Sequence, residues 1–155
     1  MSTEENKSIV RRLYEEAWTQ GNIATMDELM APNMVLHFDL PTGVPVPAEI
    51  QASLEGIKHF VFQLRTTFPD LQYTIELQVA EGDMVVTRMT ARGTLTREYW
   101  DLGFKSMPPT GKQVRWTETH ICRITDGRIM EQWSNQDDVG RMQQIGALPM
   151  SAPAS

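Results

Sequence analysis

Glu118 and His120 stand two residues apart in the run Arg115–Thr125 (RWTETHICRIT), and Gln132 and Ser134 stand two apart in Arg128–Asn135 (RIMEQWSN). Alternate side chains of a strand share one face, so an extended backbone presents each pair together. A carboxylate beside an imidazole is an acid–base unit. The unperturbed imidazole pKa of about 6.5 lets His120 take or give a proton near neutrality, while Glu118 can orient the ring or act as the second acid–base group. Gln132 and Ser134 can hold a carbonyl or phenol by hydrogen bonds, but neither is a base at neutral pH. Such groups between apolar neighbours describe a sheet face that lines a small-molecule site.

The turn at Thr125-Asp126-Gly127 sets which residues meet. A two-residue type I′ turn on Asp126-Gly127 puts His120 opposite Trp133. A three-residue turn with Gly127 left-handed, forming a bulge, puts His120 opposite Gln132 and Glu118 opposite Ser134. Composition leaves both open, and one residue of slip exchanges the faces of a strand.

Other residues could serve the same site. His37 and Asp39 alternate on an earlier strand and could reach the pocket from another side; with His120 they are also the one conceivable metal set, a weak one. Trp18, Phe60 and Trp116 could wall an aromatic ligand, although ordinary core packing is the safer reading. Arg88 and Arg92 alternate as solvated arginines do. Cys122 reads as a small apolar filler, and Asp137-Asp138 as a helix cap. Ser134 lacks the GxSxG context of a nucleophile elbow. The nucleotide loops GxGxxG and GxxxxGK(S/T) are absent, so no cofactor is expected.

Two groups of elements must position these residues. Residues 4–20 have helical periodicity ending at Gly21-Asn22; Thr25 and Glu28 have capping-box spacing for a second, shorter helix that Pro32-Asn33 stops; and Leu54–Phe68 is a third helix. Met34–Leu40 reads as a strand, followed by a proline-rich loop, Pro41–Pro47. Leu71–Val79, Met84–Thr96, Lys112–Thr125 and Arg128–Asn135 then read as strands, and about Asp138–Ile145 as a last helix. Helices first and a mostly antiparallel meander after is an α+β pattern. One domain, 1–148, accounts for it, with 149–155 as a flexible tail.

The 155 residues carry a formal charge of −6 with a pI near 5.0, and the basic residues are scattered, which excludes a nucleic-acid surface. No apolar run approaches the roughly 20 residues of a membrane span. The single cysteine allows no internal disulfide. A cytoplasmic protein with a small-molecule ligand is the expectation.

Several segments together resemble one family. They are IVRRLYEEAW in the first helix, FPDL at Phe68–Leu71, RGT at Arg92–Thr94, PPTGK at Pro108–Lys112 and the ending ITDGRIMEQW…QDDVGRMQQIGAL. In this order they are similar to the SnoaL-like polyketide cyclases, within the nuclear-transport-factor-2-like proteins. The resemblance implies a cone-shaped α+β barrel whose curved sheet has the N-terminal helices across its concave face. It also implies the bulged turn, and with it a pocket face of Trp116, Glu118, His120, Cys122, Met130, Gln132 and Ser134 with Thr117, Thr119, Ile121, Ile129, Glu131 and Trp133 opposite, and a homodimer paired through the sheet. It implies acid–base cyclisation, isomerisation or dehydration of a hydrophobic, oxygenated substrate, with a ligand-binding domain or a cofactorless hydroxylase component as alternatives. The chain departs from that family at one point. Where the classical cyclases carry His-Trp-Asp, with the Asp as acid/base, this chain has Gln132-Trp133-Ser134. Any acid–base role therefore falls to Glu118 and His120.

Overall fold

A computed structural model describes residues 1–38, 53–99 and 106–150. The chain begins with α1 (Thr3–Arg12), closed by a capping box in which the Ser2 hydroxyl accepts from the Glu5 N–H and the Glu5 carboxylate accepts from the Ser2 N–H. The helix does not stop at Arg12. It widens into a π-helical segment, Leu13–Thr19, and ends at Gly21, whose φ of +79° is the left-handed stop its position requires. The short α2 (Thr25–Leu29) follows, and Thr25 is not its cap; the Thr25 hydroxyl instead donates to Glu16.

β1 (Met30–Phe38) starts at once, running through Pro32-Asn33 rather than being delayed by them. It can do so because β1 is an edge strand and its pairing with β5 is interrupted between Met30 and Val35, where a missing N–H removes no ladder bond. α3 (Leu54–Thr67) is capped by Ser53. The strands β2 (Gln72–Glu81), β3 (Met84–Thr94), β4 (Gln113–Thr125) and β5 (Arg128–Gln136) then form an antiparallel meander, and α4 (Asp138–Gln144) closes the fold.

The sheet order is β1-β5-β4-β3-β2, with only β1–β5 parallel. This five-stranded sheet curves without closing on itself, and the helices cover its inner face, as an α+β cone requires. On β4 the even positions from Val114 to Ile124 are buried and the odd ones from Thr117 to Arg123 are half-exposed. That alternation carries the candidate site inward. Pro41–Pro47, Asp39 and residues 151–155 lie outside the described residues. No described helix is long and apolar enough to cross a membrane.

Candidate functional site

The site sits where β4 and β5 meet the π-helical segment. The turn itself is the two-residue type on Asp126 (φ +48°) and Gly127 (φ +74°), with Thr125 opposite Arg128. The register then shifts between Arg123 and Ile124, because β5 contains one residue more than β4 there. His120 comes opposite Ser134 and Cys122 opposite Gln132, two places from the pairing expected of a bulged turn. The extra residue leaves the polar face intact: Trp116, Glu118, His120, Cys122, Gln132 and Ser134 are all buried together. Two expectations are corrected. Met130 lies at the bulge and only packs against the core edge, whereas Ile129, expected on the outer face, is fully buried.

Glu118 and His120 are in contact and sealed from solvent. His120 Nε2 lies 2.8 Å from Glu118 Oε2, and both side chains are 2% exposed. The separation is that of a hydrogen bond but the angle is not, and among the described residues neither atom has another partner; the contact is a close apposition of Nε2 and Oε2 rather than a linear bond. Glu118 Oε1 accepts from the Trp116 indole N–H at 2.6 Å and from the Tyr73 hydroxyl at 3.0 Å. On the other side of the ring, the Tyr14 hydroxyl and the Gln132 amide (3.1 Å) both meet His120 Nδ1. Since an amide N–H only donates, the network assigns Nδ1 as acceptor and Nε2 as the protonated nitrogen facing Glu118. Gln132 also donates to Ser134 Oγ at 3.0 Å, and Cys122 Sγ lies 3.8 Å from Gln132 Oε1.

The tyrosines were not singled out from the sequence. Tyr14 is in the π-helical segment and fully buried, and Tyr73 opens β2. π-turns gather at functional sites because widening the helix re-aims its side chains. Here the widened turn carries Tyr14 and Trp18 into an aromatic group with Tyr73, with ring centroids 5.3–5.8 Å apart. Phe60 joins at 6.1 Å from Trp18. Among the described residues the buried Trp18 indole N–H has no hydrogen-bond partner.

Burial is the largest influence on Glu118 and by itself would raise its pKa. The contact and charge of His120, the Trp116 N–H and the positive charge of Arg141 together outweigh it and hold the carboxyl below its usual range. Burial pushes both Tyr14 and Tyr73 well above the usual phenol value, and the charge of Glu118 adds to it in each. Burial alone pushes the Cys122 thiol up to about 12. The arrangement is an ionised carboxylate set against an imidazole, with tyrosines kept neutral around it.

His37 does not join it. β1 runs parallel to β5 with Leu36 beside Gln132 and His37 beside Trp133, so His37 faces the outer side. There its Nε2 contacts Glu131 at 2.8 Å, and its ring stacks on Trp133 at 4.8 Å. His37 and His120 are therefore on opposite faces and cannot share a ligand. Arg88 and Arg92 are exposed on the outer face, and Asp137 caps α4 through the Gly140 N–H at 2.9 Å. Among the described residues no group of three or more His, Cys, Asp or Glu could hold a metal.

The model of the SnoaL-like polyketide cyclase family matches residues 8–145. The chain belongs to that family. Solved structures agree. IdmH from Streptomyces antibioticus, a proposed polyketide cyclase, is 33% identical, with a TM-score of 0.75 over 91% of this chain and 98% of its own. A proposed polyketide cyclase from Acidithiobacillus ferrooxidans is 30% identical, with a TM-score of 0.74 over 95% of this chain and 99% of its own. AclR from Streptomyces galilaeus, a proposed hydroxylase, superimposes with a TM-score of 0.81 over 98% of this chain and 87% of its own at 22% identity, a likeness of fold alone. No curated protein matches the chain.

The SnoaL-like segments also explain one another. Asp70 of FPDL accepts from the Thr94 N–H at 2.6 Å and from its hydroxyl at 2.7 Å, and Gly93 of RGT lies directly under Phe68. In the ending, Gln144 grips the backbone of Arg115 and Arg141 lies over Trp116. Sequence reasoning missed Arg141; a basic residue in a short terminal helix looks solvated.

Proposed function

We propose that this chain is a cofactor-independent acid–base enzyme of the cyclase, isomerase or dehydratase type, acting on a hydrophobic, oxygenated molecule of polyketide or terpenoid character. The observation that carries this reading is the buried line Glu118–His120–Tyr14. Both ring nitrogens of His120 are engaged, Nε2 by Glu118 and Nδ1 by Tyr14 and Gln132. A proton taken from a carbon beside a ligand carbonyl reaches the imidazole through the Tyr14 hydroxyl: the phenol oxygen accepts it as the phenol's own proton passes to Nδ1. The ionised Glu118 stabilises the imidazolium that results. The Ser134 hydroxyl and the Trp18 N–H, unpartnered among the described residues, are donors suited to hold the enolate oxygen, while the Gln132 amide gives both its N–H groups to His120 and Ser134 and fixes their places.

The reading is tested without knowing the substrate. In D2O, wild type should accelerate deuterium exchange at the α-carbon of a bound aromatic ketone such as 1-tetralone, measured by NMR, and His120→Gln should abolish it. Full exchange by His120→Gln would remove His120 from the chemistry.

A second reading, a non-catalytic ligand-binding domain, is favoured by the neutral Gln132 and Ser134, which hydrogen-bond each other where the family carries its charged acid/base. Binding of 1-tetralone with no acceleration of exchange would select it. In either case we propose a homodimer through the outer sheet face, where Val35, Leu77, Val79 and Val86 stand exposed. A monomer mass independent of concentration in sedimentation would overturn that.

A further inference from the structure

The last helix enters the site through one residue. Arg141 is 5% exposed, and its guanidinium carbon stands 5.3 Å from the ring centre of Trp116 and 5.9 Å from that of Tyr99. Its Nη1 donates to Gln136 Oε1 at 2.8 Å and its Nη2 to Asp138 Oδ1 at 2.6 Å. Gln136 is the β5 residue directly opposite Glu118 in the strand pairing. Trp116, under the guanidinium, is the residue whose N–H is 2.6 Å from Glu118 Oε1. Arg141 therefore touches both the donor that grips the carboxylate and the neighbour that faces it, without touching a reacting atom.

The helix that carries Arg141 is fastened for this purpose. The Gln144 amide accepts from the Arg115 N–H at 2.8 Å and donates to the Arg115 carbonyl at 2.7 Å, replacing the strand pairing that β5 no longer supplies there. At the other end the Asp137 N–H donates to the Thr117 carbonyl at 3.0 Å. The two anchors bracket Trp116 on β4, so the guanidinium cannot slide along the indole. A buried fixed cation beside a buried carboxylate keeps that carboxylate charged whatever the proton does on its partner.

We infer that Arg141 is a positioning residue of the acid–base site: held by α4 over Trp116, it orients the indole that binds Glu118 and keeps Glu118 ionised while His120 gains and loses its proton. The inference rests on the acid–base reading above, but its test reads the resting protein and no turnover. The charged and titratable groups around Glu118 are Tyr14 from the π-helical segment, Tyr73 from β2, His120 and Cys122 from β4, and Arg141 from α4. Among these groups of the described residues Arg141 is the permanent cation, itself paired with Asp138 of α4.

The experiment is a 13C NMR titration of the Glu118 side-chain carboxyl, assigned with Glu118→Gln, in wild type, Arg141→Met and Arg141→Lys, restricted to pH values at which near-ultraviolet circular dichroism shows folded protein. Arg141→Met should raise the Glu118 midpoint and move the Trp116 indole N–H resonance. Arg141→Lys, which keeps the charge but loses the planar stack, should restore the midpoint and not the indole resonance. An unchanged Glu118 midpoint in Arg141→Met overturns the inference, even if that variant is less stable. Should Arg141→Met fail to fold, Gln136→Leu unhooks Nη1 alone; a displaced indole resonance is then expected, and an unmoved one refutes the inference. Loss of α-proton exchange bears on the proposed function and leaves this result standing.

Discussion

Ser134 stands directly across the β4–β5 pair from His120, and the Gln132 amide nitrogen lies 3.1 Å from the ring of one and 3.0 Å from the hydroxyl of the other. The position at which the family places its acid/base carboxylate is thus within the same buried network as Glu118 and His120. In this network the carboxylate is on β4, at Glu118, and β5 contributes a neutral amide and a neutral hydroxyl.

Ser134→Asp tests that relation. A second carboxylate buried beside Glu118 should cost about 1–3 kcal/mol, read as a fall in Tm. In the same variant α-proton exchange should rise, because a carboxylate near the imidazole adds a second proton acceptor. A stable variant with unaltered exchange would mean that position 134 does not communicate with His120.

Glu118→Gln keeps an acceptor for Trp116 and Tyr73 but removes the charge that faces His120. Breaking one side of a buried pair should cost about 3–5 kcal/mol, or roughly 6–20 °C in Tm for a domain of this size. The pH dependence has a definite sign. Glu118 titrates lower in the folded chain than its ordinary value of 4.5, so the stabilisation is complete above that value and is lost as pH falls through the folded pKa. The Tm gap between wild type and Glu118→Gln should therefore narrow on going below about pH 4.5. A gap that widens towards acid would reverse the assignment.

Most of this site's face was legible in the sequence, and its reach across elements was not. Strand alternation carries face directly, which is why Trp116, Glu118, His120, Gln132 and Ser134 emerge together. Pairing was misread because the extra residue is at Met130 in β5 rather than in the turn, and nothing in ITDGRIM marks a bulge there. His37 alternates with Asp39 as a site residue would, but the parallel docking of β1 on β5 turns it outward beside Trp133. Tyr14 fits the helical stripe of core residues, and periodicity carries no information about its hydroxyl. The rule that a buried tyrosine finds a partner for its hydroxyl would have marked it, and Tyr73 with it.

Cys122 offers a test of how tightly the β4–β5 face is sealed. Its thiol is fully buried and pushed up to about 12, so at pH 8 only about one molecule in ten thousand carries the reactive thiolate. Iodoacetamide should leave native protein unmodified over hours at pH 8 and alkylate it completely in urea. Labelling of native protein at the rate of a free thiol would mean that β4 and β5 separate readily.

Phe68 and Gly93 connect the helical half of the chain to the sheet half. A Cβ at Gly93 would lie 2.7 Å from Phe68 Cβ and 3.0 Å from its ring, and a Cβ cannot swing aside as the end of a long side chain can. Gly93→Ala should therefore cost about 1–3 kcal/mol. Next to it, the Asp70 carboxylate receives two hydrogen bonds from Thr94, which hold its pKa below the usual range. Asp70→Asn should cost about 1–2 kcal/mol. Both changes act on one junction, the exit of α3 against the end of β3, and a backbone shift forced by the first weakens the bonds removed by the second. The double variant should thus lose less than the sum of the two, with a coupling of at least about 0.5 kcal/mol in chemical denaturation. Strict additivity would show that the helix exit and the strand end are anchored independently, and the order FPDL…RGT would then need another explanation.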